Sequence, residues 1–243
     1  MAHFYVCPED VSGKRFKIYG EYAHYVGNVR RFKTGDEIML FDGRGNSYRA
    51  RVSNMLKNEI SGDILEAFFK MPEFRLCLFC ALAKGTRFEW LVEKCAEIGV
   101  CCIIPISTRR SGVETLSQNK LKRLKKISIS ASSQCGRNDI LEICDIQDFR
   151  ESCLNAFKAL HFENVLLWES EEKNKTLRSL LENKNKKGVN AFIGPEGGFE
   201  SDEVELAKSL NFKTASLGKN ILRIETAAIC ASALILDAMS SCE

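Results

Sequence analysis

Every residue from Leu76 to Ala83 is apolar, within the segment Phe74–Ala83 whose one charged residue is Arg75. This constrains the fold more than any other feature. A strand that is apolar on both faces must be covered on both faces, which is the habit of mainly parallel sheets flanked by helices. The pattern downstream agrees with that. Phe88, Leu91, Val92, Cys95 and Ile98 recur at helical spacing and stop at Gly99, a good helix terminator. Ile103–Ile106 reads as a strand, Leu116–Ser133 as a helix, Val165–Trp168 and Ala191–Ile193 as strands. Ser201–Leu210 reads as a helix, Thr214–Leu217 as a strand and Thr226–Met239 as a final apolar helix. Alternating strands and helices predict an α/β domain, whose ligands are held in loops beyond the carboxyl ends of the strands.

The chain before Pro72 has a different period. Arg15–Ile18, Glu37–Phe41, Tyr48–Ser53 and Glu59–Leu65 are short segments alternating every second residue, separated by Lys33-Thr34-Gly35-Asp36 and Asp42-Gly43-Arg44-Gly45-Asn46. Asp-Gly between two such runs is a hairpin signal, and several short strands at this spacing predict a small β-barrel or sandwich. The expected division is residues 1–72 and residues 73–243.

With 243 residues the chain can bury a core without disulfides or metals. A net charge of +3 is too mild to imply nucleic-acid binding on its own, and no apolar stretch is long enough to span a membrane. The first residues, Met1 to Glu9, lack the basic start and apolar stretch of a signal peptide, so a cytoplasmic protein is expected. Eleven cysteines then read as reduced, mostly buried small hydrophobes rather than a disulfide framework. Cys77 and Cys80 have Cys-x-x-Cys spacing, but on a strand they point to opposite faces, and no zinc site is expected.

Two glycine-marked loops carry the chemistry. In Phe192-Ile193-Gly194-Pro195-Glu196-Gly197-Gly198-Phe199, three glycines and a proline within five positions specify a loop that lets a ligand lie against bare backbone. The bland reading is a strand-to-helix turn with Ser201 as N-cap. The spacing fits neither a P-loop nor a dinucleotide fingerprint. The second loop, Leu217-Gly218-Lys219-Asn220-Ile221-Leu222-Arg223-Ile224-Glu225-Thr226, leaves another strand and carries Arg223 and Glu225 into an apolar helix. Taken alone, Glu225 as a helix-terminus anion and Arg223 paired with Glu225 or Glu196 would explain it. Two such loops together favour a site. A third segment is basic: Lys120, Lys122, Arg123, Lys125, Lys126 and Arg137, preceded by Arg109 and Arg110, with no acidic residue between Lys120 and Arg137. It reads as a solvated face or a phosphate-backbone footprint.

These residues together resemble the ribosomal RNA small subunit methyltransferase E family, a SPOUT-class group. The resemblance rests on Ile193-Gly194-Pro195-Glu196-Gly197-Gly198-Phe199 and on Leu217-Gly218-x-x-Ile221-Leu222-Arg223-x-Glu225-Thr226-Ala227. It extends to Lys84-Gly85-x-Arg87-x-Glu89-Trp90, Lys94-x-x-Glu97-Ile98-Gly99-Val100, Pro105-x-x-x-x-Arg110-Ser111, Gln134-x-Gly136-Arg137 and His24-x-x-x-x-Val29-Arg30. Asn220, Ser133 and Leu124 depart from residues common in that family.

The resemblance implies a PUA-like RNA-binding barrel followed by a SPOUT α/β domain tied in a trefoil knot, acting as a homodimer. It implies S-adenosylmethionine as methyl donor and N3 of a uridine in 16S rRNA as acceptor, within the small ribosomal subunit. Leu167, Trp168, Ile193, Gly194, Pro195, Glu196, Gly197, Gly198, Leu217, Gly218, Asn220, Ile221, Leu222 and Thr226 would hold the donor. Arg223 would stabilise charge on a uracil oxygen, and Glu225 would accept the proton or orient Arg223. Arg30, Arg31, Arg44, Arg110, Lys122, Arg123, Gln134 and Arg137 would face RNA, with Gln134 and Arg137 nearest the target nucleotide. The competing readings are a ribose 2′-O-methyltransferase of the same class, acting on rRNA or tRNA, and an RNA-binding factor without catalysis.

Overall fold

A computed structural model describes residues 3–112, 115–169, 177–180 and 186–240. The chain divides into two units, Met1–Pro72 with Ile129–Ile140, and Glu73–Ser128 with Leu141–Glu243. The return of residues 129–140 to the first unit has no counterpart in the periodicity.

In the first unit, β1 (His3–Tyr5), β2 (Val11–Ser12) and β3 (Arg15–Tyr19) precede a short helix α1 (Gly20–His24) and a π-helical turn at Tyr25–Val29. β4 (Glu37–Phe41), β5 (Asn46–Leu56) and β6 (Glu59–Phe69) complete a six-stranded sheet of order β1-β4-β5-β6-β3-β2. The β4–β5 connection is the hairpin that Asp42-Gly43 announces. The Asp42 carboxylate accepts from the amides of Arg44 and Asn46 at 2.8 and 3.1 Å, a local bond that asparagine and aspartate supply readily in turns. Phe4, Phe16, Ile18, Ile38, Leu40, Val52 and Ile60 fill the core. β1 joins β4 in parallel, a pairing that no local pattern announces.

The second unit contains β7 (Arg75–Ala81), α2 (Arg87–Ile98), β8 (Cys102–Ser107), the start of α3 (Gln118–Cys135), β9 (Glu142–Ile143), β10 (Gln147–Asp148) and α4 (Phe149–Lys158). β11 (Phe162–Leu167), α5 (Leu177–Leu180), β12 (Gly188–Ile193), α6 (Ser201–Ser209), β13 (Lys213–Ala215) and α7 (Ile224–Ser240) complete it. The strands lie in the order β10-β8-β7-β12-β11-β13, with β9 beside β8, and every pairing is parallel. Phe79 on β7 stacks on Phe192 of β12 at 4.3 Å. Around them pack Phe149 and Cys153 of α4, Val204 and Ala207 of α6, and Phe212. α2 and α7 pack together, and α7 also lies on β7 and β12. Both faces are therefore covered, as the apolar run requires.

Among the described residues Cys77, Cys80, Cys95, Cys101, Cys102 and Cys153 are buried, whereas Cys144 and Cys230 are half-buried and Cys7 and Cys135 exposed. Cys77 sits among the α4 and α6 side chains, while Cys80 feels Cys95 of α2 and Glu225 of α7. Burial pushes the Cys80 thiol well up and raises Cys95 and Cys153 to about 12, so these thiols stay protonated and unreactive near neutral pH. Among the described residues, no group of side chains is arranged to hold a metal ion. No described helix is long and apolar enough to cross a membrane.

Phe192 lies at the centre of this packing, in contact with three other rings. Phe192→Ala is expected to lower unfolding stability by about 3–5 kcal/mol, read from urea midpoints at unchanged slope.

Candidate functional site

The carboxyl ends of β11, β12 and β13 open into one cavity of about 240 Å³, closed by the start of α7. Its lining includes Leu167, Trp168, Ile193, Gly194, Pro195, Glu196, Gly197, Gly198, Leu217, Gly218, Asn220, Ile221 and Leu222. The two glycine loops thus meet at one place. Ile224 and Ala227, which belong to the second loop motif but are not among the expected donor contacts, also line it, as do Glu169 and Ser216, which lie outside both loop motifs. Glu169 and Ser216 directly extend strand ends that the motifs mark, and that adjacency was the available signal. Thr226 and Glu225 are not among the lining residues.

The loop after β12 is fixed at several points. Phe199 is buried in the core against Phe149, with ring centroids 5.2 Å apart. Gly198 has φ +71°, a left-handed backbone that favours glycine, and a Cβ there would push the Glu169 carboxylate aside. The residue capping α6 is Glu200, where the sequence suggested Ser201. Its side chain and that of Glu203 form a reciprocal capping box. Glu203 is buried, and its two oxygens accept from the amides of Arg109 (3.0 Å) and Glu200 (2.8 Å).

The opposite wall is shaped by Trp168 and the 216–222 loop. The Trp168 amide continues the ladder by donating to Ala215 at 2.9 Å. Lys208 of α6 lies 5.0 Å above its ring, a cation–π contact that orients the indole. The Ser216 hydroxyl donates to the Gly218 carbonyl at 3.0 Å. Ile221 is 85% exposed at the rim, an apolar side chain left for a ligand or partner to cover.

The charged candidates separate clearly. Arg223 is exposed and makes no ion pair among the described residues, while its carbonyl accepts from the Ala227 amide as α7 begins. The pairings with Glu225 or Glu196 that would have tied it down are not present. Glu196 instead faces Arg87 at 3.6 Å. Glu225 is only 6% exposed, and its Oε2 has no hydrogen-bond partner among the described residues. It sits in the first turn of α7, where the free amides favour a carboxylate.

Of the residues expected at RNA, Arg30, Arg31, Arg44, Lys122, Arg123 and Gln134 are exposed. Arg30, Arg31 and Lys122 make no ion pair among the described residues. Arg44 is paired with Glu9 and Arg123 with Glu89. Arg137 is placed differently from the expectation. Its guanidinium is 11% exposed and holds Asp139, whose backbone bridges to Gly43 and Arg44, so it serves as a strut within the first unit. Arg110 is also engaged, donating to Glu200 and to the Gly197 carbonyl.

Comparisons with known proteins identify the family. A family model for an RNA methyltransferase domain matches residues 70–236, and one for an RNA methyltransferase PUA domain matches residues 18–65. A protein from Rickettsia conorii named ribosomal RNA small subunit methyltransferase E is 33% identical over 232 residues, covering 91% of this chain and 89% of its own length. A protein of the same name from Bacillus subtilis is 29% identical over 230 residues, covering 90% and 89%. The crystal structure of a ribosomal RNA small subunit methyltransferase E from Neisseria gonorrhoeae, bound to S-adenosyl methionine, superposes with a TM-score of 0.85. It is 28% identical and covers 98% of this chain and 97% of its own. A SPOUT-type parallel α/β unit behind a PUA domain, two glycine loops at its strand ends and relatives matching along nearly the full length lead to one conclusion: the chain belongs to the ribosomal RNA small subunit methyltransferase E family.

Proposed function

We propose that this protein transfers the methyl group of S-adenosylmethionine to N3 of a uridine in 16S rRNA, within the small ribosomal subunit. The observation that carries the reading is the cavity shared by both glycine loops, with Arg223, which makes no ion pair among the described residues, on the segment between cavity-lining Leu222 and Ile224. The named relatives act on small-subunit rRNA, and the Neisseria structure binds S-adenosyl methionine.

The residues present fit such a donor. Backbone edges at Gly194–Gly198 and Leu217–Gly218 offer hydrogen bonds to an adenosine, Leu167, Ile193 and Leu222 supply an apolar wall, and Glu169 and Ser216 supply polar side chains. When bound, S-adenosylmethionine supplies an electrophilic methyl group on a sulfonium. The protein must hold the acceptor base in line with it and help uracil N3, a weak acid, lose its proton. Arg223, exposed on the segment between cavity-lining Leu222 and Ile224, would have to turn its guanidinium toward the base to stabilise negative charge spreading onto a uracil carbonyl. Leu222, Ile224 and Ala227 line the cavity, whereas Arg223, Glu225 and Thr226 do not; Arg223 is exposed and Glu225 is buried. In this arrangement Glu225 therefore acts on the start of α7, and proton acceptance by its carboxylate would require that segment to shift.

RNA contacts are assigned within each unit separately: Arg30, Arg31 and Arg44 in the first, Lys122, Arg123 and the rim of the cavity in the second. Gln134, exposed at the end of α3, is assigned to the same task. A homodimer and a trefoil knot are part of the reading. For the dimer, support comes from Trp90 on α2 and Leu234 on α7, large apolar side chains left exposed on two packed helices. For the knot, it comes from residues 216–223, which return the chain from the edge strand β13 to a helix lying on β7 and β12.

Methyl transfer from labelled S-adenosylmethionine to small subunits lacking the modification, followed by nucleoside mass analysis, is expected to yield 3-methyluridine. Label on a ribose would establish the 2′-O reading instead. Arg223→Ala is expected to lower kcat by about 100-fold or more, as loss of one charge-stabilising donor does elsewhere, with the donor's Kd little changed. Gly198→Ala should weaken donor binding in calorimetry by about tenfold, since the left-handed backbone costs a non-glycine residue about 1–2 kcal/mol. RNA affinity should fall with salt, with a log–log slope of about −0.7 to −0.9 per neutralised phosphate. The Arg30→Ala, Arg31→Ala double variant should flatten that slope.

A further inference from the structure

Arg110 was expected to face RNA, yet its contacts run inward to the loop after β12. It leaves the end of β8 by way of Thr108 and Arg109, and two of its nitrogens are engaged. Nε donates to Glu200 Oε1 at 2.8 Å, and Nη1 donates to the Gly197 carbonyl at 2.6 Å. The side-chain stem lies where Gly197 has no side chain. A Cβ at Gly197 would sit 3.2 Å from Arg110 Cδ and 3.4 Å from its Cβ. The arginine and the glycine are therefore fitted to each other, one supplying the clamp and the other the room for it. The residue before it is fixed independently, because the Arg109 amide donates to buried Glu203. On the other side of the same loop, Arg87 faces Glu196 at 3.6 Å.

We propose that Arg110 is a positioning residue for the donor loop, holding Gly197 and Glu200 so that Glu196, Gly197 and Gly198 keep the edge they present to the cavity. This rests on the reading of that cavity as the S-adenosylmethionine site. The ion pair with Glu200 is part-exposed and contributes little by itself. The charge-assisted bond to a backbone carbonyl, made by the same planar group, gives the geometric specificity. A lysine, with one ammonium for two acceptors, reproduces it only in part.

Amide exchange of the ligand-free protein tests the clamp without any ligand. In Arg110→Ala, peptides spanning residues 192–200 are expected to exchange at least about fivefold faster than in the wild type, with Arg110→Lys intermediate and first-unit peptides unchanged. Calorimetry is expected to show about a tenfold weaker Kd for S-adenosylmethionine in Arg110→Ala. The Kd for a small-subunit rRNA fragment should stay within about twofold, with the same salt slope. Gly197→Ala should weaken donor binding in the wild type and cost less in the Arg110→Ala background, where Cγ and Cδ are gone. Unchanged loop exchange in Arg110→Ala, additive effects of the two substitutions, or a loss confined to RNA binding would each overturn the proposal. A wild type that does not bind S-adenosylmethionine would remove the donor reading instead, and the exchange comparison would still decide whether Arg110 holds the loop.

Discussion

The geometry of the cavity depends on one buried carboxylate. Glu203 lies in the first turn of α6, and its two oxygens accept the amides of Arg109 and Glu200. Those amides come from the loop after β8 and the loop after β12, two segments that the sheet order separates by β7. At the edge of a parallel sheet the ladder ends, and each amide passing beyond it needs a new partner. A carboxylate with both oxygens on backbone donors meets that need twice and sits at the helix end where negative charge is favoured. Phe199 and the Arg110 clamp then act on a loop whose starting point is already fixed.

The same physics decides how much of the fold was legible in the sequence. The strands β7, β8, β11 and β12 could be read because burial on both faces leaves a continuous apolar signature. The hairpin at Asp42-Gly43 could be read because its turn is held by a bond between near neighbours. β1 pairs in parallel with β4 across some thirty-five residues, and such pairing leaves no trace in either segment alone. β9 and β10 are two residues each and exist only because β8 offers an edge. The π-helical turn at Tyr25–Val29 is likewise a tertiary product. The cap of α6 shows local preference overridden: serine is the better isolated cap, but the reciprocal Glu200–Glu203 bonds shift the helix start by one residue.

The site was legible to the extent that backbone shape defines it. Glycines mark close approach, so both loops were found, and the rule that ligands sit beyond strand ends explains why they converge. Side chains whose role depends on a partner were harder. Arg137, Arg110 and Arg223 are the same residue type, and each lies within a few residues of a glycine. One closes a buried pair with Asp139, one holds a loop carbonyl, and one is exposed and makes no ion pair among the described residues. Composition gives the charge and says nothing of which carboxylate or carbonyl will claim it.

That division of labour bears on how the chemistry is arranged. An arginine committed to a carbonyl and a carboxylate keeps its geometry but has little capacity left for a passing ligand. Arg110 and Arg87 stand behind the loop, where they stabilise its shape, while Arg223 belongs to the segment that enters α7, with its side chain in solvent. Delocalising charge from a weakly acidic base requires a cation free to approach it in the transition state, and one already neutralised would gain little there. The paired arginines hold the loop, and in the proposed reaction the arginine that makes no ion pair among the described residues, Arg223, is the one available to the base. For the same reason the buried Glu225, next but one in sequence, is better placed to fix the start of α7 than to neutralise Arg223, because a tight Arg223–Glu225 pair would take away the free charge that the reaction needs.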